Sequence, residues 1–453
     1  MKKRMCKIMA LAMTAAMVVP MAAQTTAFAA DDKEITYWNI AVESPDKDIV
    51  TAAVDKFNKE TESGYTVNSV AIQNDTYKEK LVIAMSSGEC PDMYSSWSGG
   101  PMYEYIDSGF AQPIDDLLDQ SDIKDKLLDA AIEQGSYKGH VYAIPYMNVV
   151  LAGIFYNKDM FKQYGLEEPK TLADLENICA TLKENGITPF ALANASKWTG
   201  SMYFMSLAAR YGGLEPFQNA VAGTGKFTDD CFIKAGEKIQ EWVKNGYFPD
   251  GVNSLSEDDG QAKQLLYQET AGMLLCGSWY TGTFQTDSEE FYQKIGWFPF
   301  PAIDDSDADP TIQIGTVGDQ FISFNCEGDK LAAAFECAAD HLSDEVEDMI
   351  YSTGKIAPVK DAGDHISDPV VKEIFDAAQE ASSIQLWYDQ YLPTSVASAH
   401  LDGLQEVFGL TKTPQEAQEE MQTAMDEYLS TKSDSGAADD TAEEATDDAA
   451  ADD

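Results

Sequence analysis

The side chains able to do chemistry are numerous but unorganised. The 453 residues include 77 acids against 31 lysines and arginines, so a general acid and base could meet in space, as in glycoside hydrolysis, without leaving a motif. The four histidines, His140, His341, His365 and His400, stand far apart and none is paired at helical spacing. They read as structural or surface residues. Asp305-x-Asp307-x-Asp309 imitates the start of a calcium loop, yet Pro310 holds the glycine position and Thr316 the position of the closing glutamate. A solvated acidic loop is expected there. H-E-x-x-H, G-x-S-x-G, the P-loop and G-x-G-x-x-G are all missing from the sequence, and no metal and no cofactor is expected.

Aromatic placement is more informative. In LLCGSWYTGTF (274–284) an apolar run, Met273-Leu274-Leu275-Cys276, ends at Gly277 and is followed at once by Trp279 and Tyr280, with Gly282 keeping the segment flexible. Trp38 follows an early strand signal, and Trp97 lies in the glycine-serine context Ser95-Ser96-Trp97-Ser98-Gly99-Gly100. Trp198 sits in Asn194-Ala195-Ser196-Lys197-Trp198-Thr199-Gly200, and Trp387-Tyr388-Asp389 forms a further group. Large aromatics normally fill cores, as Trp242 and Trp297 are expected to do. Those in turn-like contexts have another use. An indole face stacks on the C–H face of a sugar ring while nearby Asp, Asn and Ser bond its hydroxyls, which suits a neutral polyol.

The elements that must position them alternate. Glu34–Asn39, Tyr65–Ile72 and Cys90–Tyr94 read as strands. Between them lie a helix opened by Ser44-Pro45, with Val50, Ala53, Val54 and Phe57 inward, and a second with Tyr77, Leu81, Ala84 and Met85 inward, stopped by Gly88. His140–Tyr146, Leu151–Tyr156 and Gly318–Asn325 continue the strand signals. Thr171-x-x-Asp174 is an acidic capping box for a helix with Leu172, Leu175, Ile178 and Leu182 inward. After Asn325 a helix with Leu331, Phe335, Ala338 and Leu342 inward is expected. The rhythm predicts an α/β chain with a largely parallel sheet, and its length predicts more than one lobe. In such sheets ligands bind beyond the carboxyl ends of the strands, where these aromatics fall.

Hydrophobic content of 44 % with 11 % aromatics is that of a globular chain. Lys2, Lys3, Arg4 and Lys7, the apolar run Ile8–Ala23 and Ala27-Phe28-Ala29 form a secretory signal, with cleavage expected after Ala29. Cys6 precedes the apolar run, so no lipid anchor is expected there. The protein is expected to be exported, and to be soluble outside the membrane. The other six cysteines lack paired spacing and read as buried thiols. A net charge of −46 repels nucleic acid and anionic lipid. From Ser433 to Asp453 the chain carries no basic residue and is expected to be a disordered acidic tail.

Several segments then carry a likeness. Tyr77-Lys78-x-Lys80-Leu81 with Ser87-Gly88-x-Cys90-Pro91-Asp92, Gly109-Phe110-Ala111-Gln112-Pro113-Ile114-Asp115, and Gly139-His140-Val141-Tyr142-Ala143-Ile144-Pro145-Tyr146 are three of them. Phe155-Tyr156-Asn157-Lys158-Asp159-Met160-Phe161, Lys170-Thr171-Leu172-x-Asp174-Leu175, Gly186-Ile187-Thr188-Pro189 and Gly277-Ser278-Trp279 continue the series. Together they resemble the extracellular solute-binding proteins of ABC sugar importers, the maltose-binding-protein-like family. The resemblance implies a two-lobed, periplasmic-binding-protein-like (type II) α/β fold with its ligand in the cleft between lobes. On that pattern residues 30–148 and 316–356 form the first lobe, and 149–315 and 357–432 the second. It also implies that Trp97 and Trp279 stack on sugar, and that Trp38, Asn39, Glu43, Tyr146 and Asn148 lie in cleft loops. Trp198, Tyr280, Trp387, Tyr388 and Asp389 complete the expected site. The implied partners are a sugar or oligosaccharide and the permease subunits of an ABC transporter, the receptor itself acting as a monomer without catalysis. Two alternatives stay open: a secreted carbohydrate-active enzyme, and a receptor for a peptide or polyamine, for which Glu43, Asp92 and Asp389 would supply acids.

Overall fold

The computed structural model describes residues 33–447, and side chains as far as 432. The expected signal peptide and the last six residues lie outside the described residues. Two sheets organise the chain. The first runs in the order Thr66–Ala71, Glu34–Asn39, Met93–Ser96, Phe321–Phe324, Ala143–Pro145. The second runs Ile384–Gln385, Gln313–Thr316, Val150–Asn157, Ala271–Gly277, Thr188–Phe190, with Ile295–Pro299 also paired to Val150–Asn157. The chain therefore passes from the first sheet to the second between Pro145 and Val150, and back between Thr316 and Phe321.

The sheets are mixed, where the sequence predicted largely parallel ones. Glu34–Asn39 pairs parallel with both Thr66–Ala71 and Met93–Ser96, each joined through a helix. Phe321–Phe324, arriving from the other sheet, runs antiparallel to Met93–Ser96 and to Ala143–Pro145. Val150–Asn157 is antiparallel to three neighbours for the same reason. A right-handed βαβ unit fixes a parallel pair, but a strand entering from another lobe carries no such constraint.

Local signals account for the helix ends. Gly88 stops helix Asn74–Ser87 in the left-handed conformation, φ 74°, open to glycine at little cost. Thr171 accepts the Asp174 backbone N–H at 3.2 Å, and Asp174 accepts the Thr171 N–H at 3.1 Å. Helix Asp46–Glu60 buries Ile49, Val50, Ala53, Val54 and Phe57, but Ser44 makes no cap; Pro45 is the residue flanking its first turn. Trp242 and Trp297 are buried as expected. Cys90, Cys179, Cys231, Cys276, Cys326 and Cys337 are free thiols, all but Cys90 buried. Helix Pro414–Asp447 continues through 433–447, where composition predicted disorder. That stretch is free of proline, and it extends a helix already nucleated and packed through Ala417, Met421 and Met425.

Candidate functional site

The site grows from the ends of strands. Strand Ala271–Gly277 is buried along its whole length and delivers Trp279 to the cleft. The segment after it is no flexible loop, as the glycines suggested, because helix Tyr280–Asp287 begins at once. Gly282 lies inside that helix, where a Cβ would meet the Thr353 carbonyl oxygen at 2.7 Å. Its role is close packing. In the first sheet, strand Met93–Ser96 delivers Trp97, and strand Glu34–Asn39 is followed by Ile40. Helix Trp198–Gly212 lays Trp198, Ser201, Met202 and Met205 along one face, at i, i+3, i+4 and i+7. Lys197, just before it, holds a φ of 64°, a conformation that costs a non-glycine residue roughly 1–3 kcal/mol and launches Trp198 toward the cleft.

These residues close around a cavity of about 200 Å³. Four indoles line it: Trp97, Trp198, Trp279 and Trp387. Trp279 stands edge-on between two of the others, 5.9 Å from Trp198 at 61° and 6.1 Å from Trp387 at 68°. Trp198 Nε1 is buried with no hydrogen-bond partner. Five carboxylic acids share the lining: Asp46, Glu257, Asp258, Asp319 and Asp389. Lys78 reaches in from helix Asn74–Ser87, its ammonium 4.9 Å above the Trp97 ring and 3.8 Å from Asp389. A second chamber of about 190 Å³ shares Ile40, Asp46, Asn74, Glu257, Asp258 and Trp279 with the first and extends past Tyr280 to Glu43 and Lys263. The cleft is thus longer than one small cavity.

Electrostatics follow from burial. Glu257 and Asp319 are half-buried in the wall of the cleft. Desolvation pushes each up to about 7, against the opposing pull of the Tyr280 hydroxyl and Lys263 on Glu257, and of Lys355 and Lys78 on Asp319. Desolvation also raises Asp258 and Asp389, with Lys78 pulling both the other way. Asp46 is paired with the buried ammonium of Lys355.

The residues expected from sequence divide into groups. Trp97, Trp198, Trp279, Trp387 and Asp389 line the first chamber, and Glu43 and Tyr280 the second. Tyr280 donates its hydroxyl to Glu257. Tyr146 and Asn148 stand one layer behind. The Tyr146 hydroxyl donates to Gln320 Oε1 at 2.7 Å, and the Asn148 carbonyl accepts the Asp319 N–H at 2.9 Å, so both hold Asp319 and Gln320 in place. Trp38, Asn39 and Tyr388 do not face the cavity. Trp38 packs with Tyr77, Leu81, Met85 and Tyr94, because it lies on the helix-covered face of its strand. Asn39 bonds Ser69 at 2.8 Å and the Ala41 N–H at 3.0 Å, tying down the turn after the strand. Tyr388 stacks on Phe217 at 4.0 Å, since the short helix it opens turns its neighbour Asp389 inward instead. Sequence reasoning missed Asp46, Asn74, Lys78, Glu257, Asp258, Asp319 and Gln320 as lining residues.

A two-lobed α/β chain with aromatic and polar side chains lining a cavity at its strand ends is the architecture of a solute receptor. Residues 41–339 match the family of bacterial extracellular solute-binding proteins, and the chain belongs to that family. A structure solved in work on xylan utilization by Caldanaerobius polysaccharolyticus is similar at 29 % identity and a TM-score of 0.79, covering 86 % of this chain and 99 % of that one. An uncharacterised ABC transporter extracellular-binding protein of Pyrococcus horikoshii is 31 % identical over 228 residues, half of each chain. A maltotriose-binding protein of Pyrococcus abyssi is 28 % identical over 241 residues, 52 % of this chain and 48 % of that protein. The chain's matches thus span about half the length of these two relatives.

Proposed function

We propose that the protein is the extracellular receptor of an ABC importer, capturing a sugar or short oligosaccharide between its lobes and presenting it to membrane permease subunits. One observation carries the reading: four indoles from four separate elements line a single cavity together with hydrogen-bonding carboxylates and amides. Flat apolar faces with polar groups at their edges match a pyranose, which has C–H faces and an equatorial belt of hydroxyls. The maltotriose-binding relative supports the same class. A chamber of about 200 Å³ is smaller than the ~300–1,000 Å³ typical of drug-sized sites. It takes one ring, and the adjoining chamber gives a second unit somewhere to lie.

Receptor action requires that the ligand favour a closed state. Both sheets supply lining residues, so a ligand touching Trp97 on one side and Trp279 on the other makes its full set of contacts only when the lobes approach. The test is tryptophan fluorescence and calorimetry against mono-, di- and oligosaccharides, peptides and polyamines. A saturable response to one saccharide class, lost in Trp279→Ala, is expected. A response confined to peptides or polyamines sinks the sugar assignment.

The same carboxylates give an enzymatic reading some footing, because a buried acid near pH 7 beside other carboxylates resembles a hydrolase pair. Saccharide recovered intact after prolonged incubation with stoichiometric protein excludes it. Released monosaccharide establishes it.

A further inference from the structure

A hydroxyl in the wall of the first chamber is gripped from behind by a buried histidine. Ser201 reaches that wall beside Trp198, Met202 and Met205, and its Oγ lies 2.7 Å from His400 Nε2. Among the described residues the hydroxyl has no second hydrogen-bond partner. Helical serines often bond the carbonyl a turn back, as Ser206 does to Met202 at 2.7 Å. Ser201 does not. His400 comes from helix Thr394–Phe408, is 1 % exposed, and has the rings of Phe204 and Tyr388 packed at 5.3 and 5.5 Å.

Which group donates follows from the other ring nitrogen. His400 Nδ1 is buried without a hydrogen-bond partner. Burial also holds the ring neutral, its pKa pushed down to about 3, so one nitrogen carries a proton and the other a lone pair. Protonated at Nδ1, the ring would strand its only N–H at the full cost of desolvation. Protonated at Nε2, it gives that N–H to Ser201 Oγ. The second arrangement leaves no donor of the ring unused, and the packing selects it. The serine's own proton then finds no acceptor in the protein among the described residues and turns to the chamber. This polarity is the reverse of a nucleophilic pair, in which Nε2 takes the serine proton and an acceptor orients Nδ1–H.

We propose that Ser201 is a specificity-determining donor of the sugar site, recognising an acceptor oxygen of the saccharide, and that His400 is the positioning residue that fixes it in that role. The proposal rests on the sugar-receptor reading and adds a polarity to it. A serine hydroxyl left to rotate donates or accepts with equal ease. One that already accepts from His400 answers to a ligand oxygen with a free lone pair.

Long-range proton–nitrogen NMR on the unaltered chain labelled at histidine reads the tautomer directly. His400 should be neutral and protonated at Nε2 near neutral pH, and saccharide should shift its Nε2 signal. An Nδ1–H tautomer or an imidazolium overturns the proposal. Calorimetry then takes glucose, galactose, xylose, maltotriose and xylotriose, and carries the tightest binder through the parent, Ser201→Ala, His400→Met and the double variant. Ser201→Ala should weaken binding roughly 2- to 12-fold, the worth of one neutral hydrogen bond. His400→Met should weaken it by a similar factor, and the double variant no further than Ser201→Ala alone, because His400 acts through that hydroxyl. A His400→Met loss of equal size with and without the Ser201 hydroxyl reduces the histidine to packing and overturns the proposal. Should His400→Met fail to fold, the tautomer and Ser201→Ala still decide. Saccharide binding left unchanged by Ser201→Ala sinks this proposal alone; no binding of any of the saccharides sinks the sugar-receptor reading together with it.

Discussion

Gly277→Ala tests the aromatic site with one methyl group. Gly277 ends strand Ala271–Gly277, and its φ is not in the left-handed region, so alanine meets no backbone penalty. The obstacle is the Trp279 ring itself. A Cβ on residue 277 would lie 2.0 Å from Trp279 Cζ3, 2.3 Å from Cε3 and 2.4 Å from Cη2. Carbon atoms settle near 3.5–4.0 Å, so the ring has to move by roughly 1–2 Å. Such a shift breaks its edge-to-face contacts with Trp198 and Trp387, each worth about 0.5–1.5 kcal/mol. If ligand stacks against this box, affinity should fall by about 1–3 kcal/mol, or roughly 5- to 150-fold. Because Trp279 is only half-buried, the ring can swing outward and the melting temperature should drop by no more than a few degrees. Calorimetry with whichever saccharide the parent binds, beside a thermal melt, reads both quantities. Unchanged affinity with an unchanged melt would refute the placement of ligand at Trp279.

Lys355→Met removes the cation from a buried pair and leaves Asp46 partly exposed; about 3 kcal/mol of stability should be lost in urea titration, and Asp46→Asn added to it should restore part. A loss below about 1 kcal/mol would show the pair to be idle. Asp319 is pushed up to about 7 by burial, among Lys355, Lys78, Asp46 and Gln320. The folded state therefore keeps a proton that the unfolded state has released, and stability falls as pH rises from the ordinary carboxyl range through about 7. Asp319→Asn should flatten that fall in melts taken between about pH 5 and 8, and an unaltered slope would contradict the burial argument. Thr171→Ala deletes half of the capping box and should cost about 1 kcal/mol, without touching saccharide affinity.

What could be read from the sequence was whatever depends on near neighbours. The Thr171/Asp174 cap, the Gly88 stop and the inward faces of the early helices are local patterns, and they hold in the structure. Tryptophans in turn-like contexts were legible because a large apolar side chain beside glycine and serine conflicts with ordinary burial. Trp97, Trp198, Trp279 and Trp387 do meet at one cavity. The carboxylates were not legible. Among 77 acids, nothing local distinguishes Glu257 and Asp258 in Ser256-Glu257-Asp258-Asp259-Gly260 from a solvated loop; only tertiary placement buries them. Asp319 and Gln320 sit on a crossing between sheets, a segment without periodicity. Trp38 and Tyr388 failed for the opposite reason. Trp38 points to the face of its strand packed on helix Asn74–Ser87, and the short helix Tyr388–Tyr391 turns Tyr388 onto Phe217, so sequence proximity to a site does not by itself place a side chain in it.

The contacts between lobes bear on how the proposed receptor would work. Lys78 meets Asp389 at 3.8 Å, the Asp75 N–H meets Asp258 at 3.1 Å, and Thr394 donates to Glu104 at 2.6 and 3.0 Å. Gly100 lets the backbone of Leu392 approach so closely that a Cβ would meet its carbonyl oxygen at 2.2 Å. Lys78 and Glu104 are partly exposed, and such pairs contribute about 0–1 kcal/mol each. Three or four of them fall short of the ~5.5 kcal/mol that turns a mostly open population into a mostly closed one. The protein's own contacts can therefore set the geometry of closure without holding it shut. Two of these contacts, Lys78–Asp389 and Asp75–Asp258, use the carboxylates that line the cavity. A ligand bonding those acids competes with the latch at the same time as it bridges the indoles. Closure then responds to what the ligand offers Asp258 and Asp389, and a solute that stacks without satisfying them gains the aromatic contact but forfeits the latch.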